Sequence, residues 1–242
     1  MNPKASIVRR RLIAQWGEVV AALNKFNAAA EVRPENGDSV FSEDPDAGDG
    51  IIAFDLKPVV FNLPERADNY STDLFIVVGG RLSVRQDSVD KDVALLTHDF
   101  STRAAYFRRT KKALIHVYGA HYDFALNELG HPTFHMQLRS FADLASLVRE
   151  RYVVPDDFQD NVDGMLRNVR LPCAQMDFFS FFSQLCADHL IFKDSEKEVR
   201  AAFNQLITKS SFLRGAGARS ERLVDEAAHG CYRSSHWYPL VA

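Results

Sequence analysis

Three of the eight histidines fall within one stretch, His121-Tyr-Asp-Phe-Ala-Leu-Asn-Glu-Leu-Gly-His-Pro-Thr-Phe-His-Met-Gln-Leu-Arg139, which reads as a β-hairpin. Alternation sorts it into two faces: Tyr122, Phe124, Leu126, Pro132, Phe134, Met136 and Leu138 on one, and His121, Asp123, His131, Thr133, His135 and Gln137 on the other. The first face is expected to be core and the second a polar display. If Glu128-Leu129-Gly130 forms a three-residue loop with Gly130 in the left-handed region, Asp123 stands opposite His135, His121 opposite Gln137, and Asn127 opposite His131. A five-residue loop from Leu126 to Gly130 would put His121 opposite His135 and strand Leu126 in a turn, so the three-residue register is preferred.

That register limits the chemistry. A carboxylate facing an imidazole across a strand pair orients its tautomer and raises its basicity, which suits general acid or base work. His121, Asp123, His135 and Arg139 are the candidate catalytic residues, with His121 or His135 as acid or base, Asp123 as orienter and Arg139 at a phosphate. His131 and Gln137 are candidate binding residues. His131-x-x-x-His135 would join two ligands on a helix, but on a strand it separates them by roughly 13 Å at about 3.3 Å per residue. No metal or cofactor is expected on this reading, with a divalent metal as the alternative. The plainer expectation is a polar network covering one side of a sheet.

The elements that position the hairpin follow from periodicity. Residues from about Ala5 to Ala30 carry Val8, Leu12, Trp16, Val19, Val20, Leu23 and Phe26 at helical steps, an amphipathic helix. Glu35 to Gly50 is an acidic loop in which Asp44-x-Asp46-x-Gly48-Asp49 only partly matches a calcium loop, because Asp49 takes the place of the turn glycine and Asp55 that of the bidentate glutamate. From Ile51 to Arg139 the pattern alternates through Ile52–Leu56, Leu74–Val78, Leu82–Val84, Val93–Thr97, Arg103–Arg109 and Ala113–Tyr118. Turns are expected at Gly79-Gly80, Asp87–Asp92 and Thr110–Lys112. Ser140-Phe-Ala-Asp143 resembles a capping box for a helix to Tyr152, and 155–172 is a long connection, a candidate lid. Cys173–Phe192 is apolar around most of its circumference and is expected to be a buried helix. Ser195-x-x-Glu198 opens a further helix, and a last helix is expected to end at His229-Gly230. The expectation is one α+β domain over 1–242: a helix in 1–33, an antiparallel meander of five to seven strands in 34–139, and a helical layer in 140–242 packed on the sheet.

Composition sets the class. With 242 residues, 46% hydrophobic and 25% charged, the chain has ordinary globular make-up, and a net charge of -3 exerts no global pull on nucleic acid. Arg9-Arg10-Arg11 and Arg108-Arg109-Thr110-Lys111-Lys112 are local basic clusters through which nucleic acid is a conceivable partner. Cys173, Cys186 and Cys231 are odd in number and lack C-x-x-C spacing, which argues for a reducing, cytoplasmic setting. No membrane or secretory segment is expected.

Three resemblances attach to short motifs. His131-Pro132 after an N-terminal helix and a meander is similar to the His-Pro-Asn motif of the ubiquitin-conjugating fold, with Thr133 in place of Asn and Cys173 as the next cysteine. Arg222 and His229 share the R-x6-H spacing of HEPN ribonucleases, with Leu223 where that family has a polar residue. Over residues 100–192, His131-Pro-x-x-His135-x-Gln137, Arg170-Leu-Pro172 and Met176-Asp-Phe-Phe resemble uncharacterised bacterial proteins encoded near mobile elements and defence genes. That resemblance implies a cytosolic α+β protein and supplies no catalytic residues.

Two functions are expected from these readings. The first is a non-catalytic interaction or regulatory module with a protein partner, an accessory component of a bacterial defence or toxin-related system. The second is a phosphodiesterase or nuclease using the His/Asp site of the hairpin.

Overall fold

The computed structural model describes residues 3–26, 31–33, 40–63, 73–89, 95–124, 132, 134–191, 195–210 and 213–215. Its centre is a ladder of long antiparallel strands, β3 (Ile51–Leu63), β4 (Leu74–Arg85), β5 (Leu95–Arg109) and β6 (Ala113–Phe124). β1 (Glu31–Arg33) and β2 (Phe41–Asp44) pair with β3, and β7 (Phe134–Leu138) pairs with β6 and then with β9 (Arg170–Pro172). Two short strands join in parallel: β8 (Asp157–Asp160) on β6 and β10 (Leu213–Gly215) on β5. The class is α+β, as the pattern implied. The sheet is larger than the expected five to seven strands, with seven along its antiparallel path and ten in all among the described residues.

Several breaks expected from composition lie inside strands. Gly79-Gly80 is not a turn, because β4 runs straight through it. A Cβ on Gly80, whose φ is +145°, would lie 1.9 Å from the Ser101 carbonyl oxygen, so glycine here admits the neighbouring strand. Opposite this pair the β3–β4 register shifts between Leu56 and Val59, a bulge that houses Pro58 within a paired strand. The Thr110 turn forms as expected, its hydroxyl accepting from the Lys112 and Ala113 amides. The 155–172 connection is not a free loop: β8, a short 3-10 turn (Gly164–Asn168) and β9 attach it to the sheet.

The two faces of the ladder hold different cores. On one, Phe54, Leu56, Val59, Phe61, Ile76, Val78, Leu82 and Phe100 meet α1 (Pro3–Lys25), α3 (Phe178–His189) and α4 (Lys197–Ser210). The helix α1 buries Ala5, Val8, Leu12, Trp16, Val19, Ala22 and Leu23, the stripe read from its period. On the opposite face Val60, Phe75, Val77, Ala105, Phe107 and Leu114 pack against Phe141 and the short helix α2 (Ala145–Arg151). The helices after the hairpin therefore divide between both faces instead of forming one layer.

Helix α3 starts at Phe178, later than its apolar run suggests, because Cys173 still donates to the Phe134 carbonyl and Asp177 provides the cap. The Asp177 carboxylate accepts from the Phe179 and Ser180 amides, the Ser180 hydroxyl and Gln175. Burial raises its carboxyl above the ordinary range even against those bonds. The aromatic run is core: Phe182 lies 5.2 Å from Trp16, 5.1 Å from Phe61 and 4.8 Å from Phe178, centroid to centroid. The capping box at Ser140 does not form, since that hydroxyl bonds Asp160 and α2 has no side-chain cap. No helix among the described residues is long and apolar enough to cross a membrane.

Two stability predictions follow from this packing. Phe179→Ala and Phe182→Ala should each cost about 3–5 kcal/mol in urea unfolding. A loss below about 1 kcal/mol at both would mean the cluster is not central. Gly80→Ala should cost more than about 1 kcal/mol by the same measurement, and more than Gly79→Ala. The reason is that a Gly79 Cβ meets its nearest atoms only at 3.1 Å.

Candidate functional site

The β6–β7 register is the one read from the turn: Asp123 pairs with His135, His121 with Gln137, Tyr122 with Met136 and Phe124 with Phe134. The loop itself, together with His131, Thr133 and the expected Asn127–His131 and Leu126–Pro132 pairs, lies outside the described residues. Tyr122, Phe124 and Phe134 are buried in the large core, so the apolar face is the one expected.

The polar face is less open than its composition suggests. His121 and Asp123 are partly accessible, at 14% and 28% of their side chains, whereas His135 is at 1%. Tertiary pairing is the cause: Pro172 of β9 stands opposite His135, and the Arg167 carbonyl accepts from the Gln137 side chain. The expected polar display is therefore half covered. Contact with a substrate arriving from solvent falls to His121 and Asp123.

Three donor atoms converge here. His121 Nε2 is 3.0 Å from Asp123 Oδ2, His135 Nε2 is 3.7 Å from the same oxygen, and the donors of all three residues lie within 4.8 Å of one another. The imidazole rings are nearly perpendicular, centroids 6.3 Å apart. Desolvation pushes the Asp123 carboxyl up, but hydrogen bonds from His121 and Ser101 and the charge of both imidazoles outweigh it, holding it below its usual range.

The surroundings come from β5 and β9, which the hairpin alone does not disclose. Ser101 pairs with Asp123 and Arg103 with His121, while Arg170 pairs with Gln137. Two cross-strand rows result on one face: Arg81, Ser101, Asp123, His135 and Pro172, beside Arg103, His121, Gln137 and Arg170. Arg103 and Arg170 are exposed and make no ion pair among the described residues, whereas Arg81 is engaged by Asp44 at 2.7 Å. Arg139 sits beyond the second row, its amide bonded to the Gly119 carbonyl, so Arg103 is the guanidinium-bearing residue directly opposite His121. Asp44 also accepts from the Asp46 amide, closing the turn of the calcium-like segment on itself.

Burial, with a contribution from the charge of Asp123, pushes the Cys173 thiol up to about 12, which disfavours the thiolate that the cysteine step of the ubiquitin-conjugating resemblance would need. Arg222, His229 and the last expected helix lie outside the described residues.

A separate pair, buried His116 with exposed Asp160, anchors the neighbouring part of this face. The Val117 bulge turns His116 onto the Phe107 ring, centroids 4.8 Å apart, where its Nδ1 meets Asp160 Oδ1 at 2.9 Å. Desolvation pushes Asp160 up, but bonds from Ser140, the Val162 amide and His116 hold it below the usual carboxylate range. A depressed carboxyl adds stability above its unfolded value of about 3.9, and that stability is lost as pH falls through the lower folded value. Urea midpoints of wild type and Asp160→Asn should therefore differ at about pH 7 and converge toward about pH 3. A constant gap would refute the ionic role of the pair.

No protein family, curated protein or solved structure matches the chain.

Proposed function

We propose that the chain is a phosphodiester hydrolase whose site is the His121–Asp123–His135 cluster. The observation that carries this reading is the cluster's position between Arg103 and Arg170 on the same sheet face. Adjacent strands lie about 4.8 Å apart, so the row from Arg103 to Arg170 spans roughly 14 Å, enough for a phosphate to meet a guanidinium beside the cluster. Two guanidinium groups without acidic partners among the described residues favour an anionic ligand, and phosphate matches their geometry. Water adds to phosphorus, the ester P–O bond breaks, and the proton lost by water ends on the departing alkoxide. His121 and Asp123 face the reaction, and buried His135 lies behind them, 3.7 Å from the carboxylate.

A second reading, the non-catalytic interaction module, draws on a different observation. Leu166, Val169 and Leu171 are 44%, 43% and 45% exposed on the segment that covers His135, an apolar group suited to a protein partner. An accessory subunit of a bacterial defence system would use such a surface.

Incubating the purified chain with mixed RNA and DNA, and with bis(p-nitrophenyl) phosphate, with and without divalent metal, separates the two. Hydrolysis should be abolished by Asp123→Asn and lowered about 10²–10³-fold by Arg103→Ala, the scale of losing one charge-stabilising donor. Absence of cleavage under every condition would sink the hydrolase and leave the interaction module.

A further inference from the structure

The geometry points to a divalent transition-metal site with His121 Nε2, Asp123 Oδ2 and His135 Nε2 as ligands. It rests on the same cluster as the hydrolase reading and names how that cluster activates water.

The argument begins with distances. Nitrogen and oxygen ligands about 2.0–2.1 Å from a tetrahedral ion lie roughly 3.3–3.5 Å from each other. The two contacts to Asp123 Oδ2, 3.0 and 3.7 Å, bracket that spacing, and all three donors lie within 4.8 Å of one another, so the two imidazoles must close by up to about 1.4 Å on a bound ion. Cross-strand geometry makes the trio compact: His135 is directly opposite Asp123, and His121 is two residues along the same face. Ligands diagonal across a strand pair come together, which two histidines four apart along one strand cannot do.

Chemistry then selects the ion. Two imidazole nitrogens and one carboxylate suit zinc and its first-row neighbours better than magnesium or calcium, which prefer all-oxygen shells. Three protein ligands leave one coordination position for water, the arrangement of catalytic rather than structural zinc. With His135 buried and His121 and Asp123 partly accessible, that position lies toward the side carrying Arg103. A bound ion there would bring the water's pKa to about 7 and polarise a phosphate oxygen held by the arginine. The Ser101 hydroxyl donates to Asp123 and orients the carboxylate from outside the ligand set.

The test is calorimetric titration of the metal-stripped full chain with Zn²⁺, with cobalt(II) absorption spectra in parallel. Wild type should bind one ion with a tetrahedral-type cobalt spectrum. Losing a ligand should cost more than the about 10–100-fold that losing its hydrogen-bonded support costs, so His121→Ala and Asp123→Asn should weaken binding by more than about 100-fold and Ser101→Ala by about 10-fold. His121 and Asp123 are partly exposed, so these variants test the site without depending on buried His135→Ala, and circular dichroism checks their fold. No binding by wild type, or unchanged affinity in both ligand variants, would overturn the site. Hydrolysis that persists undiminished in excess chelator would overturn it while leaving the hydrolase reading intact. Binding through these ligands without hydrolysis of any phosphodiester would support the site and reject the hydrolase.

Discussion

The hydrogen-bonded ladder through β4, β5 and β6 is the constraint on which the rest of the structure depends. Strand side chains alternate strictly, so once this ladder is in register every residue on it belongs to one face or the other. The face bearing Ile76, Val78, Leu82, Phe100 and Ala104 is covered by α1, α3 and α4. The opposite face is apolar at one end, where Val77, Ala105 and Phe107 meet α2, and polar at the other, where Arg81, Ser101, Arg103, His121 and Asp123 line up. One set of backbone bonds thus positions a core, a second core and a candidate site together.

Two local departures from regularity make this division possible. The extra residue Val117 shifts the β5–β6 register by one, so His116 shares a face with His121 and Asp123 although an unbroken strand would place it on the other. Gly79-Gly80 and the bulge opposite it allow β3, β4 and β5 to approach closely where a side chain would strike the Ser101 carbonyl.

The late segment finishes the site. Residues 157–172 lay β8 against β6 and β9 against β7, and in doing so bury His135 while leaving His121 and Asp123 reachable. One buried and two partly accessible side chains thus stand together.

Periodicity and turn chemistry alone determined the N-terminal helix stripe, the antiparallel class, the hairpin register and the facing of Asp123 and His135. All of these rest on contacts between residues near in sequence. The burial of His135, the placement of Arg103 instead of Arg139 beside His121, the convergence of three donors and the split of the later helices between two faces were decided only by tertiary structure. Each depends on pairings among β5, β6, β7 and β9 or on the Val117 bulge, and a one-residue shift of register, which no local pattern records, moves every side chain to the other face.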